Sequence, residues 1–203
     1  MDEPRSHEED DHRVTPLELF FDLVFVFAIT QVTTYFADHL SWHGFAEGML
    51  VLAALWWAWA AYAWLTNTVD ADEGWTRIAM LAAMAAMLIV SLAVPQAFDA
   101  DAVIFGVAYF AVRVAHIVLY GISVKDDADL KGALLRMTPT SLLAPLAIVL
   151  AGVFLDGDER MIVWAAALLL DYLGVLVGGG RGWRVSAEHF AERHALIVII
   201  ALG

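Results

Sequence analysis

Long apolar stretches alternate with short polar ones from Leu17 to Val177, and each stretch is long enough to predict a helix that crosses a bilayer. Such a helix needs about 20 mainly apolar residues. The pattern gives six spans, at 17–37, 45–65, 78–98, 102–124, 140–155 and 161–177, the last two shorter than the rest. After a connector at 181–193, a further apolar run at 195–202 rises about 12 Å, less than half the membrane. The predicted fold is therefore all-α: a polytopic transmembrane bundle of six full spans plus the start of a seventh.

The polar punctuation orients the bundle. With the N-terminus on one side, every Lys and Arg except Arg160 and the intraspan Arg113 falls on that same side. Basic residues mark the cytoplasmic face, so the N-terminus and the loops around Arg77, Lys125 and Arg181 are expected there. Residues 1–13 read as a disordered acidic cytoplasmic tail, 14–180 as the bundle, and 181–203 as a cytoplasmic connector leading into a truncated seventh span of a longer chain. Thr15-Pro16-Leu17-Glu18 reads as a capped helix start. Trp42, Trp64, Trp75 and Trp183 fall near span ends, where indoles sit at headgroup level. Trp56, Trp57 and Trp59 fall mid-span and read as packing residues, and Pro95 and Pro145 as kinks.

Composition agrees with this picture: 61% of residues are hydrophobic and mean hydropathy is +0.70, beyond the roughly 45–50% of a soluble domain. The formal charge of -13 argues against nucleic acid as a partner. The absence of cysteine removes disulfides, thiol catalysis and Cys metal sites. Partners left open are the lipid bilayer, a small ion or solute, and a second copy of the chain.

Ionisable residues inside spans are costly, by roughly 2.5–3.5 kcal/mol each for Arg, Lys or Asp at mid-helix, and nominate the functional positions. They are Asp22, Arg113, His116 and Asp171, with Glu18 and Glu47 nearer the ends. The first four lie at comparable depth, about 10–18 Å from the basic side. Tyr109, Arg113, His116 and Tyr120 follow i, i+4, i+7, i+11 spacing and predict one polar aromatic stripe facing the interior. Glu18 and Asp22 share a face that Thr30 and Thr33 roughly continue. The pattern predicts a pair between Arg113 and Asp22 or Asp171, with His116 and a carboxylate lining a polar pocket or ion path. An ion pair between helices can equally serve packing alone, and Asp171 beside Tyr172 and Gly174 leans that way. His39 with His43, and His189 with Glu192 and His194, have spacings that can hold a metal, but a solvated turn and an interfacial helix start account for them better. No metal or cofactor is expected, and no Ser–His or paired His–acid arrangement points to an enzyme.

The run 15–30, Thr-Pro-Leu-Glu-Leu-Phe-Phe-Asp-Leu-Val-Phe-Val-Phe-Ala-Ile-Thr, resembles the opening signature of the bacterial low temperature requirement protein A (LtrA) family. The Tyr109 to Tyr120 stretch and His189-Phe190-Ala191-Glu192-Arg193 with the apolar run after it are also similar to that family. The resemblance implies an integral protein of the bacterial cytoplasmic membrane, His189, Glu192 and Arg193 as a family motif, and a chain that continues past Leu202-Gly203. By analogy with channels whose first helix carries a Phe-and-Asp motif, Phe21-Asp22 would lie at the core of the bundle. The functional expectation is a transporter or channel for a small ion or solute. The alternative is a non-transporting membrane protein that supports cold or envelope adaptation through a partner or lipid.

Overall fold

The computed structural model describes residues 16–66, 74–124, 127–178, 194–195 and 197–199, and within them there are helices and turns but no strands. Six long helices follow in order: α1 (Pro16–Asp38), α2 (Trp42–Thr66), α3 (Gly74–Ala93), α4 (Ala102–Ser123), α5 (Ala128–Phe154) and α6 (Gly157–Gly178). Five of them, α1 to α5, are long and apolar enough to cross a membrane. The sixth has 22 residues and opens on Asp158 and Glu159, acids that suit a helix N-terminus. Residues 194–195 and 197–199 are also helical, where the start of a further helix is expected.

Local sequence explains where the elements begin and end. Pro16 occupies the first turn of α1, where its missing N–H costs nothing. Ser41 caps α2 by accepting from Gly44 N at 3.0 Å, so the stretch 40–44, expected to be a loop, is half helix. The Asp127 carboxylate accepts from the N–H groups of Asp129 and Leu130, both at 3.0 Å, and starts α5 twelve residues before the predicted span at 140–155. The early half of α5 is amphipathic: Leu130, Ala133, Leu134 and Met137 are buried while Lys131 and Arg136 face out. Those charges, with Pro139, make it look like a connector. Pro145 is embedded in α5 as expected, and Pro139 joins it there. Pro95 instead ends its helix: α3 stops at Ala93, and Val94–Gln96 form a single 3-10 turn.

The helices close into a ring in the order α1, α2, α6, α5, α4, α3 and back to α1, with α2 also packed on α4 across the middle. The ring is thus two four-helix groups, α1/α2/α4/α3 and α2/α4/α5/α6, sharing the α2–α4 diagonal. Leu19, Phe20 and Leu23 on α1, Leu88 and Leu92 on α3, and Leu169 and Leu176 on α6 point outward, as an apolar lipid-facing surface requires. Trp42 and Trp75 stand almost fully exposed at the starts of α2 and α3, in keeping with headgroup anchors.

Backbones touch where α4 crosses α5. A Cβ on Gly106 would stand 3.0 Å from the Val149 Cα, and one on Gly152 would stand 3.0 Å from the Ala102 carbonyl. Small residues at such crossings let helices approach closely in place of a hydrophobic driving force. Gly106→Ala should therefore lower stability by about 1–3 kcal/mol. Thermal melting of the purified variant in detergent measures this, and an unchanged midpoint would mean that the crossing has slack.

Arg160 ties down the end of the bundle away from the basic loops. Its buried guanidinium donates to the carbonyls of Phe98 and Leu155 and to the Asp156 carboxylate at 2.8 Å. It thereby joins the α3–α4 turn, the C-terminal end of α5 and the first turn of α6. At the same end, Tyr35 donates to Glu47 at 2.7 Å, and His43 lies 3.2 Å from Glu47 and 3.5 Å from Asp158.

Candidate functional site

The interior of the α2/α4/α5/α6 group holds one polar knot, to which each helix gives a side chain. Asp171 of α6 is at its centre. Its Oδ2 accepts from Arg113 Nη2 of α4 at 2.7 Å and from Trp57 Nε1 of α2 at 2.8 Å, while Oδ1 accepts from Ser141 Oγ of α5 at 2.9 Å. Arg113 and Asp171 are 0% and 1% exposed. Multiple donors let a carboxylate stay in so dry a place, where an ion desolvated without partners would not persist. The Trp57 ring also stacks on Tyr172 at 4.0 Å between centroids, and Tyr172 Oη reaches the Ala53 carbonyl at 3.1 Å.

Asp22 is placed elsewhere. It lies in the neighbouring group, 1% exposed, and accepts from Trp59 Nε1 of α2 at 2.8 Å. The partner of Arg113 is therefore Asp171, and Asp22 is held by an indole. Trp57 and Trp59, read from sequence as packing residues, are the donors that hold the two intramembrane aspartates. Glu18 is buried one turn before Asp22. Thr30 and Thr33, expected to continue that face, are exposed, and Thr30 Oγ1 satisfies itself on the Phe27 carbonyl at 2.7 Å. The face continues instead through Phe25, Ala28, Val32 and Tyr35, all buried.

Above the knot, toward the C-terminal ends of α2, α4 and α6, lies a cavity of about 280 Å³. Arg113, His116 and Tyr120 of α4 are its polar residues, Trp57, Ala60, Trp64 and Met137 are among its apolar walls, and the largely exposed Leu176 stands at its open rim. Among the described residues no carboxylate lines it, and the acid expected beside His116 is not part of that lining. Trp64, expected at headgroup level, is half-buried as a wall. Of the predicted stripe, Arg113, His116 and Tyr120 meet the cavity, while Tyr109 turns away and donates to the Ala54 carbonyl at 3.2 Å. Tyr62 makes the corresponding bond from α2, to the Val112 carbonyl at 2.9 Å. These two tyrosines pin the α2–α4 diagonal beside the site.

One face of Arg113 is unspent. Its Nε and Nη1 are buried and have no hydrogen-bond partner among the described residues, and neither ring nitrogen of His116 makes a well-formed bond there, the backbone of Ala61 offering a loose one. Ser141, Trp57 and Trp64 were missed in the sequence. Trp57 and Trp64 lie on the α2 aromatic run, and Ser141, at the very start of the predicted span 140–155, falls at mid-helix only because α5 begins at Ala128.

The other candidates fall outside this site. His39 stacks on Tyr35, with Nδ1 3.0 Å from the Tyr35 carbonyl, and His43 faces Glu47. His194 packs edge-on against Trp59, with ring centroids 4.5 Å apart. His189, Glu192, Arg193 and Trp183 lie outside the described residues, as do 1–15 and the connector at 179–193.

Residues 13–203 match the family described as bacterial low temperature requirement A protein. The chain belongs to the LtrA family. It is 32% identical over 213 residues to an uncharacterized protein of Rhizobium meliloti (strain 1021), a match that covers 98% of this chain and 51% of that protein. This LtrA chain thus spans about half the length of the curated relative it matches. No solved structure matches it. Family and apolar helices together make the LtrA chain a multi-pass membrane protein, with the Arg113 knot at its interior.

Proposed function

We propose that this LtrA protein is a transporter or channel for a small ion or solute in the bacterial cytoplasmic membrane, with its N-terminus in the cytoplasm. The observation that carries the reading is the buried Arg113–Asp171 pair within the bundle, beside a half-open cavity of about 280 Å³ that Arg113 lines. Space of this kind at membrane depth is tolerated where it serves a polar occupant or path. Trp64 and Tyr120, near the C-terminal ends of α2 and α4, are among its lining residues, and on this reading it is reached from the cytoplasm. No catalytic step and no cofactor belong to the reading, and self-association remains compatible with it.

Flux into proteoliposomes that hold this chain tests it. The expected result is flux that drops at least tenfold when Ala60→Leu fills the cavity, while the melting temperature stays within a few degrees of wild type. Absence of flux for cations, anions and neutral solutes alike, with insertion confirmed by protease protection, would overturn it. The remaining reading would be a membrane protein whose Arg113–Asp171 pair serves architecture, supported by the complete hydrogen bonding of Asp171.

A further inference from the structure

The imidazole of His43 stands between two acids that belong to different helices. Its Nε2 lies 3.2 Å from Glu47 Oε1, one turn along α2, and its Nδ1 lies 3.5 Å from Asp158 Oδ1 in the first turn of α6. A neutral imidazole carries one N–H and one lone pair, so it donates to one of these carboxylates and sets an acceptor against the other. Only the imidazolium, with a proton on each nitrogen, answers both.

The two acids are not held alike. Glu47 is 7% exposed, and its other oxygen, Oε2, accepts from Tyr35 Oη of α1 at 2.7 Å, whereas the Asp158 side chain lies open to solvent. When a single proton is left on the ring it stays with Glu47, because the buried acceptor has less water to turn to. The contact given up is the one to Asp158. The other charged and titratable groups at this end are engaged elsewhere or exposed. His39 stacks on Tyr35 with Nδ1 at the Tyr35 carbonyl, and Asp99 of the α3–α4 turn places its charge on the Tyr35 side. Arg160 bonds the carbonyls of Phe98 and Leu155 and the Asp156 carboxylate, and Asp38 and Glu159 are exposed. Among the described residues no cation besides His43 meets Glu47 or Asp158.

We propose that His43 is a proton-dependent latch between α2 and α6: its protonation ties the first turn of α6 to α2, and its deprotonation releases that tie while Tyr35 keeps α1 on α2. The same two helices meet further along at Trp57 and Asp171, so the latch acts on a pair that also holds the buried knot. Placing it outside the cell rests on the orientation proposed above. The latch itself does not.

Exposed ion pairs add little to stability, so geometry and not melting is the readout. Pulsed dipolar EPR of the protein in lipid nanodiscs supplies it. The chain has no cysteine, so Trp42→Cys with Ile162→Cys puts one spin label at the start of α2 and one on α6, and Leu23→Cys with Trp42→Cys is the control pair across α1 and α2, all at exposed positions. Distances are taken at about pH 5.5 and about pH 8, on either side of the range in which histidine changes charge and above that of ordinary carboxylates. The expected result is an α2–α6 distance distribution at least twice as wide at the higher pH, with the control pair unchanged. His43→Gln, whose amide takes up no proton, and Asp158→Asn, a change at an exposed position, should each leave that distribution the same at both pH values. Wild-type distributions alike at the two pH values, a pH response that survives in either variant, or equal broadening of the control pair would each overturn the proposal. A pH-dependent α2–α6 distance without flux would count against the transport reading and leave the latch standing. Flux with a pH-independent distance would do the reverse.

Discussion

Asp171→Leu is expected to destabilise the bundle by about 3–5 kcal/mol, because it strands the buried Arg113 charge with no second acid bonded to it among the described residues. The unfolding midpoint in mild detergent measures the loss. The double variant Arg113→Met with Asp171→Leu removes both charges and should recover most of it, as replacement of buried pairs by apolar residues often does. With the single variant Arg113→Met added, these and wild type form a double-mutant cycle whose coupling term isolates the pair. Exchanging the charges, Arg113→Asp with Asp171→Arg, is the informative control. A simple pair would survive it. Here it should fail, since the Trp57 indole can only donate and its N–H would be set against a guanidinium at position 171. Recovery in the exchanged variant would show that the helices hold a bare ion pair.

Arg160→Gln carries the second large effect. The guanidinium reaches carbonyls on two separate elements, Phe98 after the 3-10 turn and Leu155 at the end of α5. Losing even one charge-assisted bond of this kind costs about 1.5–3 kcal/mol, and the shorter amide cannot serve both sides. Arg160→Lys should rescue little, because a single ammonium lacks the fork that spans the two carbonyls. Hydrogen exchange at Ala97 to Ala102 and Leu155 to Arg160 should accelerate in both variants, ahead of the helix interiors. Equal protection in wild type and variants would show that the turns stand without this residue.

Much of the architecture could be read from the chain because the bilayer imposes a single rule on it. Backbone groups in hydrocarbon must pair within their own segment, so each long apolar run becomes a helix. The charged interior was also visible, since Asp22, Arg113, His116 and Asp171 stand out against apolar neighbours. What was not visible was the pairing. Periodicity places Arg113 on an inward face but does not say whether α1 or α6 lies opposite, and that depends on the ring order of the helices. The indole N–H of Trp57 and Trp59 went unread for a related reason: in a bundle rich in aromatics, a tryptophan that only packs and one that donates have the same sequence appearance. The beginning of α5 was hidden by its own amphipathicity, Lys131 and Arg136 facing out from a helix whose other side is buried.

The two indoles that hold the aspartates come from one helix. Trp57 and Trp59 are two residues apart, so they leave α2 in nearly opposite directions, one toward α6 and the other toward α1. Helix α2 is thereby keyed like a shaft with a pin on either side: a twist about its long axis withdraws both indoles from their acids together, and neither can be released alone by that motion. Any event that rotates α2 at the cavity therefore reports at Asp22 in the other half of the bundle, with no further moving part between them.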